Sequence, residues 1–93
     1  MIYAYANLKV TNKESLLKYR DLAGEALAKH GGKVESSANQ FTKLDGYPDF
    51  PDVAALLSFP DRDAAIAWAE DPELAHVHEL RRGAGDSEIV LLG

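Results

Sequence analysis

Few side chains in this 93-residue chain pair reactive chemistry with an inward position, and Arg20 is the first of them. At about 100° per residue, Leu16, Arg20, Ala23 and Leu27 fall on one narrow stripe of a helix, with Tyr19 and His30 at its margin. A guanidinium keeps its charge, so an arginine in mid-stripe needs a carboxylate, a set of carbonyls or a bound anion. Two readings follow: an internal ion pair or snorkelling side chain, and a clamp on an anionic ligand. A second wheel, drawn after Pro72, groups Leu74, Val77, His78 and Arg81 and turns His76 and Leu80 elsewhere. His78 therefore faces inward, as a hydrogen-bonded core histidine, a proton-transfer group or an axial ligand. His76 and His78 diverge by about 200° and cannot chelate one ion, so no metal site is expected. Trp68 shares its face with Ala64 and Ala65, whose small side chains leave room for tight helix–sheet packing or for a pocket wall. Tyr3, Tyr5 and Asn7 form the polar, aromatic parity of the first strand, suited to hydrogen bonds across a dimer interface or to lining a ligand site.

Absent motifs narrow the chemistry. There is no glycine-rich phosphate loop, no Gly-x-Ser-x-Gly elbow and no His-Glu-x-x-His. Cysteine is missing altogether, which removes disulfides, iron–sulfur ligation and thiol nucleophiles. Fifteen acidic against ten basic residues leave a net charge of −5, a poor match to a nucleic-acid backbone. Residues 1–46 carry seven Lys/Arg and five Asp/Glu, whereas residues 47–93 carry three and ten, and no basic stripe results. The longest uncharged apolar run, Val53 to Phe59, is far short of the roughly 20 residues that span a bilayer. With no signal peptide ahead of it, a cytoplasmic location is expected.

The elements that must hold these residues are legible from pattern. Ile2 to Val10 alternates as a strand. Thr11-Asn12-Lys13-Glu14 fits a capping box for a helix running to about His30, closed by Gly31-Gly32. A second strand is predicted from Lys33, interrupted near Ser36 to Asn39 and resuming from Phe41 to Leu44. Asp45 to Asp52 is an irregular loop. Val53 to Phe59 forms a third strand. Asp61 caps a helix through Glu70, and Pro72 opens another to about Leu80. Arg81 to Asp86 is a turn, and Glu88 to Leu92 closes the chain as a fourth strand. The order β-α-β-β-α-β over residues 1–93 is a single α+β domain of ferredoxin-like type, an antiparallel sheet with helices on one face. The third and fourth strands are apolar on both parities, and helices can cover only one side. A second copy related by a two-fold axis would shield the other, so a homodimer is expected.

Tyr19-Arg20, Gly31-Gly32, Ser58-Phe59-Pro60, Ala64-Ala65-Ile66-Ala67-Trp68, Asp71-Pro72-Glu73 and the closing Ile89-Val90-Leu91 together resemble the family called domain of unknown function 1330, in order and spacing, over nearly the whole chain. The resemblance implies the dimeric α/β-barrel superfamily: ferredoxin-like protomers that pair their sheets, with a small cavity between sheet and helices. Members often carry an aromatic residue where His30 stands. Asn7, Trp68 and His78 also resemble the haem-degrading monooxygenases of that superfamily. That likeness implies haem, with His78 as axial ligand, Trp68 against the porphyrin and Asn7 near bound oxygen.

The leading expectation is a small-molecule-binding protein, with or without catalysis. Arg20 holds an anionic organic group, and Tyr5, Asn7, Trp68 and His78 shape the cavity. In a catalytic version His78 moves the proton and Arg20 clamps an enolate- or carboxylate-like intermediate, without a cofactor. The alternatives are a haem-degrading or cofactor-free monooxygenase using Asn7, Trp68 and His78, and a structural or regulatory homodimer.

Overall fold

A computed structural model describes residues 1–93. Strand β1 (Ile2–Val10) leads into helix α1 (Lys13–Ala28), followed by β2 (Lys33–Ala38), β3 (Val53–Phe59), α2 (Arg62–Glu70), a 3-10 turn (Pro72–Leu74), α3 (Ala75–Gly83) and β4 (Gly85–Leu92). The four strands form one antiparallel sheet in the order β2-β3-β1-β4, which is the ferredoxin-like α+β arrangement.

The alternation of β1 decides the layering. Ile2, Ala4 and Ala6 pair in register with Phe59, Leu57 and Ala55, and with Ile89 and Leu91 they turn toward the helices. There they meet Ala26 and Leu27 of α1, Ala65 and Trp68 of α2, Leu74 and Val77 in one buried cluster. The molecule measures 36 × 31 × 16 Å, so its short axis holds one sheet and one layer of helices. The opposite parity carries Tyr3, Tyr5, Leu56, Val90 and Leu92 on the uncovered side, where Tyr5 pairs with both Leu56 and Val90. Tyr3 and Tyr5 stay 41% and 40% exposed, and Val90 and Leu92 54% and 51%. Both parities of β4 are indeed apolar over Ile89–Leu92, and one of them has no cover.

Several boundaries differ from the expected ones. The α1 cap is Asn12, whose side-chain oxygen accepts from the Ser15 N–H at 3.1 Å; Thr11 instead sends its backbone N–H to Ala84 O at 2.8 Å. α1 ends at Ala28, and Gly31 takes the left-handed φ of 73° that lets the chain reverse. Residues 41–44 do not resume a strand: Phe41 stacks on Phe50, 5.8 Å between centroids, and so folds the 39–52 segment on itself. α3 continues to Gly83, and β4 starts at Gly85, which replaces the expected long turn. Asp61 caps α2 as expected, accepting from Ala64 N–H at 2.8 Å. His30 donates to Asp71 at 2.8 Å, beside Lys29 at 2.7 Å. The Lys29 ammonium, then the His30 ring, hold the Asp71 carboxyl far below the usual carboxylate range. This cluster ties the end of α1 to the α2–α3 junction.

Candidate functional site

Two cavities open between the helices and the sheet. The larger, about 650 Å³, lies between α1 and the sheet, with Leu16, Tyr19, Arg20 and Ala23 on one wall and Ala6, Val53, Ala55 and Leu57 on the other. The smaller, about 360 Å³, lies under α2 and α3 and is walled by Ala4, Phe59, Ala65, Trp68, Ser87 and Leu91. Arg81 is common to both. Neither cavity is lined by a single Asp or Glu, although the chain carries fifteen; their charged lining residues are Arg20, Arg81 and Arg82. Three of the acids, Asp49, Asp86 and Glu88, line a separate polar depression with Lys9 at the end of the sheet.

Arg20 is exposed, which corrects its expected place in a buried stripe. The buried residues of α1 are Leu16, Ala26 and Leu27, so the covered stripe runs to one side of Arg20 and leaves it facing the open cleft. No carboxylate lies within ion-pairing distance of Arg20 or Arg81. The internal ion pair is therefore not formed.

His78 is buried at 3% exposure and both its ring nitrogens are engaged. Nε2–H donates to Trp68 O at 3.0 Å, and Nδ1 accepts from Arg81 Nη1 at 2.8 Å. Because the carbonyl can only accept and the guanidinium can only donate, these partners fix the neutral Nε2–H tautomer. Burial first, and the Arg81 and Arg82 charges after it, push its pKa down against the pull of the Trp68 carbonyl. Trp68 meets the imidazole edge-on at 4.8 Å and tilts against Phe59 at 5.5 Å. The Arg81 guanidinium lies 5.5 Å from the centroid of the Trp68 ring and 5.7 Å from that of Tyr19, a geometry that stabilises a cation on aromatic faces.

The sign of the His78 shift gives an expected outcome. Its folded pKa lies below the ordinary 6.5, so on acidification the unfolded chain takes up a proton before the folded chain does. This contribution is absent above pH 6.5 and erodes stability below it, by at most about 1.4 kcal/mol per pH unit. Urea denaturation between pH 7.5 and 5.5 should show this limb in the parent chain and a flatter profile in His78→Gln; parallel profiles would remove His78 as its source.

The structure thus divides the residues singled out from sequence. Arg20 lines the larger cavity, Asn7 borders both that cavity and the polar depression, Trp68 lines the smaller cavity, His78 sits behind Arg81, and Tyr5 lies on the uncovered sheet face, lining neither cavity. The haem-like set Asn7, Trp68 and His78 is not brought to one chamber. A His78 ring with both nitrogens hydrogen-bonded offers no lone pair to iron, so these residues do not fit that group. Arg81 is the residue that sequence reading passed over; its signal was its place on the inward face of α3, three residues after His78. No helix is long and apolar enough to cross a membrane.

Comparison with solved structures places the fold. The RPA0582 protein of unknown function from Rhodopseudomonas palustris superposes with a TM-score of 0.79 at 19% identity, covering 98% of this chain and 79% of that one. A dimeric ferredoxin-like protein of unknown function from Jannaschia sp. CCS1 gives 0.72 at 12% identity, covering 99% and 97%. An antibiotic biosynthesis monooxygenase gives 0.56 at 15% identity, covering 100% and 97%. At these identities the likeness is one of fold. None of the curated proteins compared with the chain matches it. The model of the family described as domain of unknown function (DUF1330) matches residues 1–93, end to end, and the chain belongs to that family.

Proposed function

We propose that this protein binds a small anionic organic molecule in the cavity between sheet and helices, and does so as a homodimer. The observation that carries the first part is the sorting of charge: in a chain of net charge −5, arginines alone supply the charge of both cavities. A mostly apolar wall with a few convergent donors is the usual make-up of a ligand site. The volume of the larger cavity falls within the roughly 300–1,000 Å³ of small-molecule pockets. Arg20, exposed at the mouth and unpaired, draws the anion in, and the apolar walls take the rest of it. His78 serves this site by holding Arg81, since its ring is committed to two hydrogen bonds. Support for the second part comes from the uncovered patch of Tyr3, Tyr5, Leu56, Val90 and Leu92, and from the Jannaschia neighbour, which is described as dimeric.

The test is thermal denaturation of the purified protein against matched sets of aliphatic and aromatic carboxylates and their neutral amides. The expected result is stabilisation by one or more carboxylates and none by the corresponding amides, because binding to the folded state alone raises the melting temperature by mass action. In Arg20→Ala the response should weaken with the fold intact. Equal responses to acids and amides would overturn the reading.

A further inference from the structure

Two buried side-chain polar atoms in the molecule lack a hydrogen-bond partner: Trp68 Nε1 and Arg81 Nε. Both are N–H donors, they belong to side chains stacked within 5.5 Å of each other, and both residues wall the smaller cavity. Leaving a buried donor unsatisfied costs on the order of 1–3 kcal/mol, and native proteins rarely keep two together without a reason. The rest of the cluster makes the arrangement more specific. His78 occupies Nη1 of Arg81, and no acid faces the group. The guanidinium is thus left with its Nε–Nη2 edge, the side-on fork whose two parallel N–H groups match the two oxygens of a carboxylate. The second unpartnered donor, the indole N–H, belongs to the ring that the guanidinium lies over. The walls around it, Ala4, Phe59, Ala65 and Leu91, are apolar.

We infer that Arg81 and Trp68 form an oxyanion-binding subsite. A carboxylate on an apolar body is held side-on by Arg81 Nε and Nη2 and capped by Trp68 Nε1–H, with His78 as the positioning residue that sets the guanidinium plane. Both donors are covered by the protein itself, so entry of the anion requires a small turn of the Arg81 side chain away from the rings it stacks on. This rests on the reading of the cavities as anion sites and extends it to the smaller one: Arg20 serves the larger cavity, while Arg81, common to both, and Trp68 select a planar, two-oxygen head group in the smaller.

The chain has one tryptophan, so its indole N–H gives a single resonance in a proton–nitrogen correlation spectrum. The probes are acetate and benzoate, titrated against chloride at equal ionic strength. The expected result is a saturable downfield movement of the indole proton with acetate or benzoate and none with chloride. Arg81→Met should weaken binding roughly tenfold or more, the loss of a charge-assisted pair. Arg81→Lys, which keeps the charge and loses the fork, should weaken it nearly as much and guards against a folding defect in the first variant. Trp68→Phe should retain saturable shifts in neighbouring backbone amides at lower affinity. If the carboxylates move amides of α1 alone, depend on Arg20→Ala and ignore Arg81→Met, the subsite is overturned while the anion-binding reading stands. Should neither probe move any resonance beyond the chloride control, both fall.

Discussion

Replacing Gly85 by alanine is expected to destabilise this protein by about 3–5 kcal/mol, a large share of the roughly 5–15 kcal/mol that holds a small domain together. Gly85 has a φ of 153°, which L side chains rarely adopt, and a Cβ built there overlaps the carbonyl oxygen of Lys9. The overlap falls on backbone, so no rotamer relieves it. Gly85 pairs with Val10 at the end of the β1–β4 ladder. The adjoining Ala84 carbonyl accepts from both Thr11 N–H at 2.8 Å and Asn12 N–H at 3.0 Å. Separating the strands enough to admit a methyl group would break those bonds, at about 0.5–1.5 kcal/mol each, on top of about 1–3 kcal/mol of backbone strain. Gly24→Ala is the internal contrast. Its Cβ meets nothing within 4 Å, it lies mid-helix in α1, and the change should stabilise by about 0.5–1 kcal/mol. Urea midpoints of the two variants should move in opposite directions; a Gly85→Ala midpoint at the parent value would refute the steric account.

The second large effect concerns the uncovered sheet face. Val90→Glu is expected to convert a dimer into a folded monomer, raising the dissociation constant by at least a hundredfold, or about 2.7 kcal/mol. Val90 is 54% exposed in the single protomer, so a carboxylate there costs the isolated chain little. A two-fold contact presents the same patch twice, which would bury two added charges close together, and like charges in an interface cost several kcal/mol. Sedimentation velocity from micromolar to nanomolar concentration reads the change, and circular dichroism checks that the monomer stays folded. A parent chain that sediments as a stable monomer at high micromolar concentration, or a variant that stays dimeric, would remove the paired-face proposal.

How far the sequence foretold these features depends on the range of the physics involved. β1 and α2 follow from local rules, a period of two and a cap at Asp61, and β3 from a short apolar run bounded by turn residues; all three lie where pattern places them. Asn12 rather than Thr11 caps α1 through its own side chain, at a point where the backbone N–H groups of both residues are held by Ala84, more than 70 positions away in sequence. The strand expected at Phe41–Leu44 was lost to the Phe41–Phe50 stack, another non-local preference. Arg20 illustrates the limit of a helical wheel. The wheel shows which residues share a face but is silent on how much of that face the sheet covers. β2 is exposed along its whole length, so the flank of α1 bearing Arg20 is left open. The inward side of α3 was legible, and His78 was placed on it. The commitment of both its nitrogens, and with it the standing of Arg81, depends on the Trp68 carbonyl, which only the folded chain brings within reach.

The irregular register of β2 bears on how this molecule behaves when crowded. Between Val34 and Ser36 the ladder to β3 slips, and Lys33 and Glu35 stand on the same outer ribbon, while the far margin of the sheet ends in Asp86 and Glu88 on β4. A kinked, charged border is a poor template for a newcomer's backbone. Growth by adding ribbon to ribbon is thereby hindered at the β2 flank, and concentrated solutions should resist extension from that side.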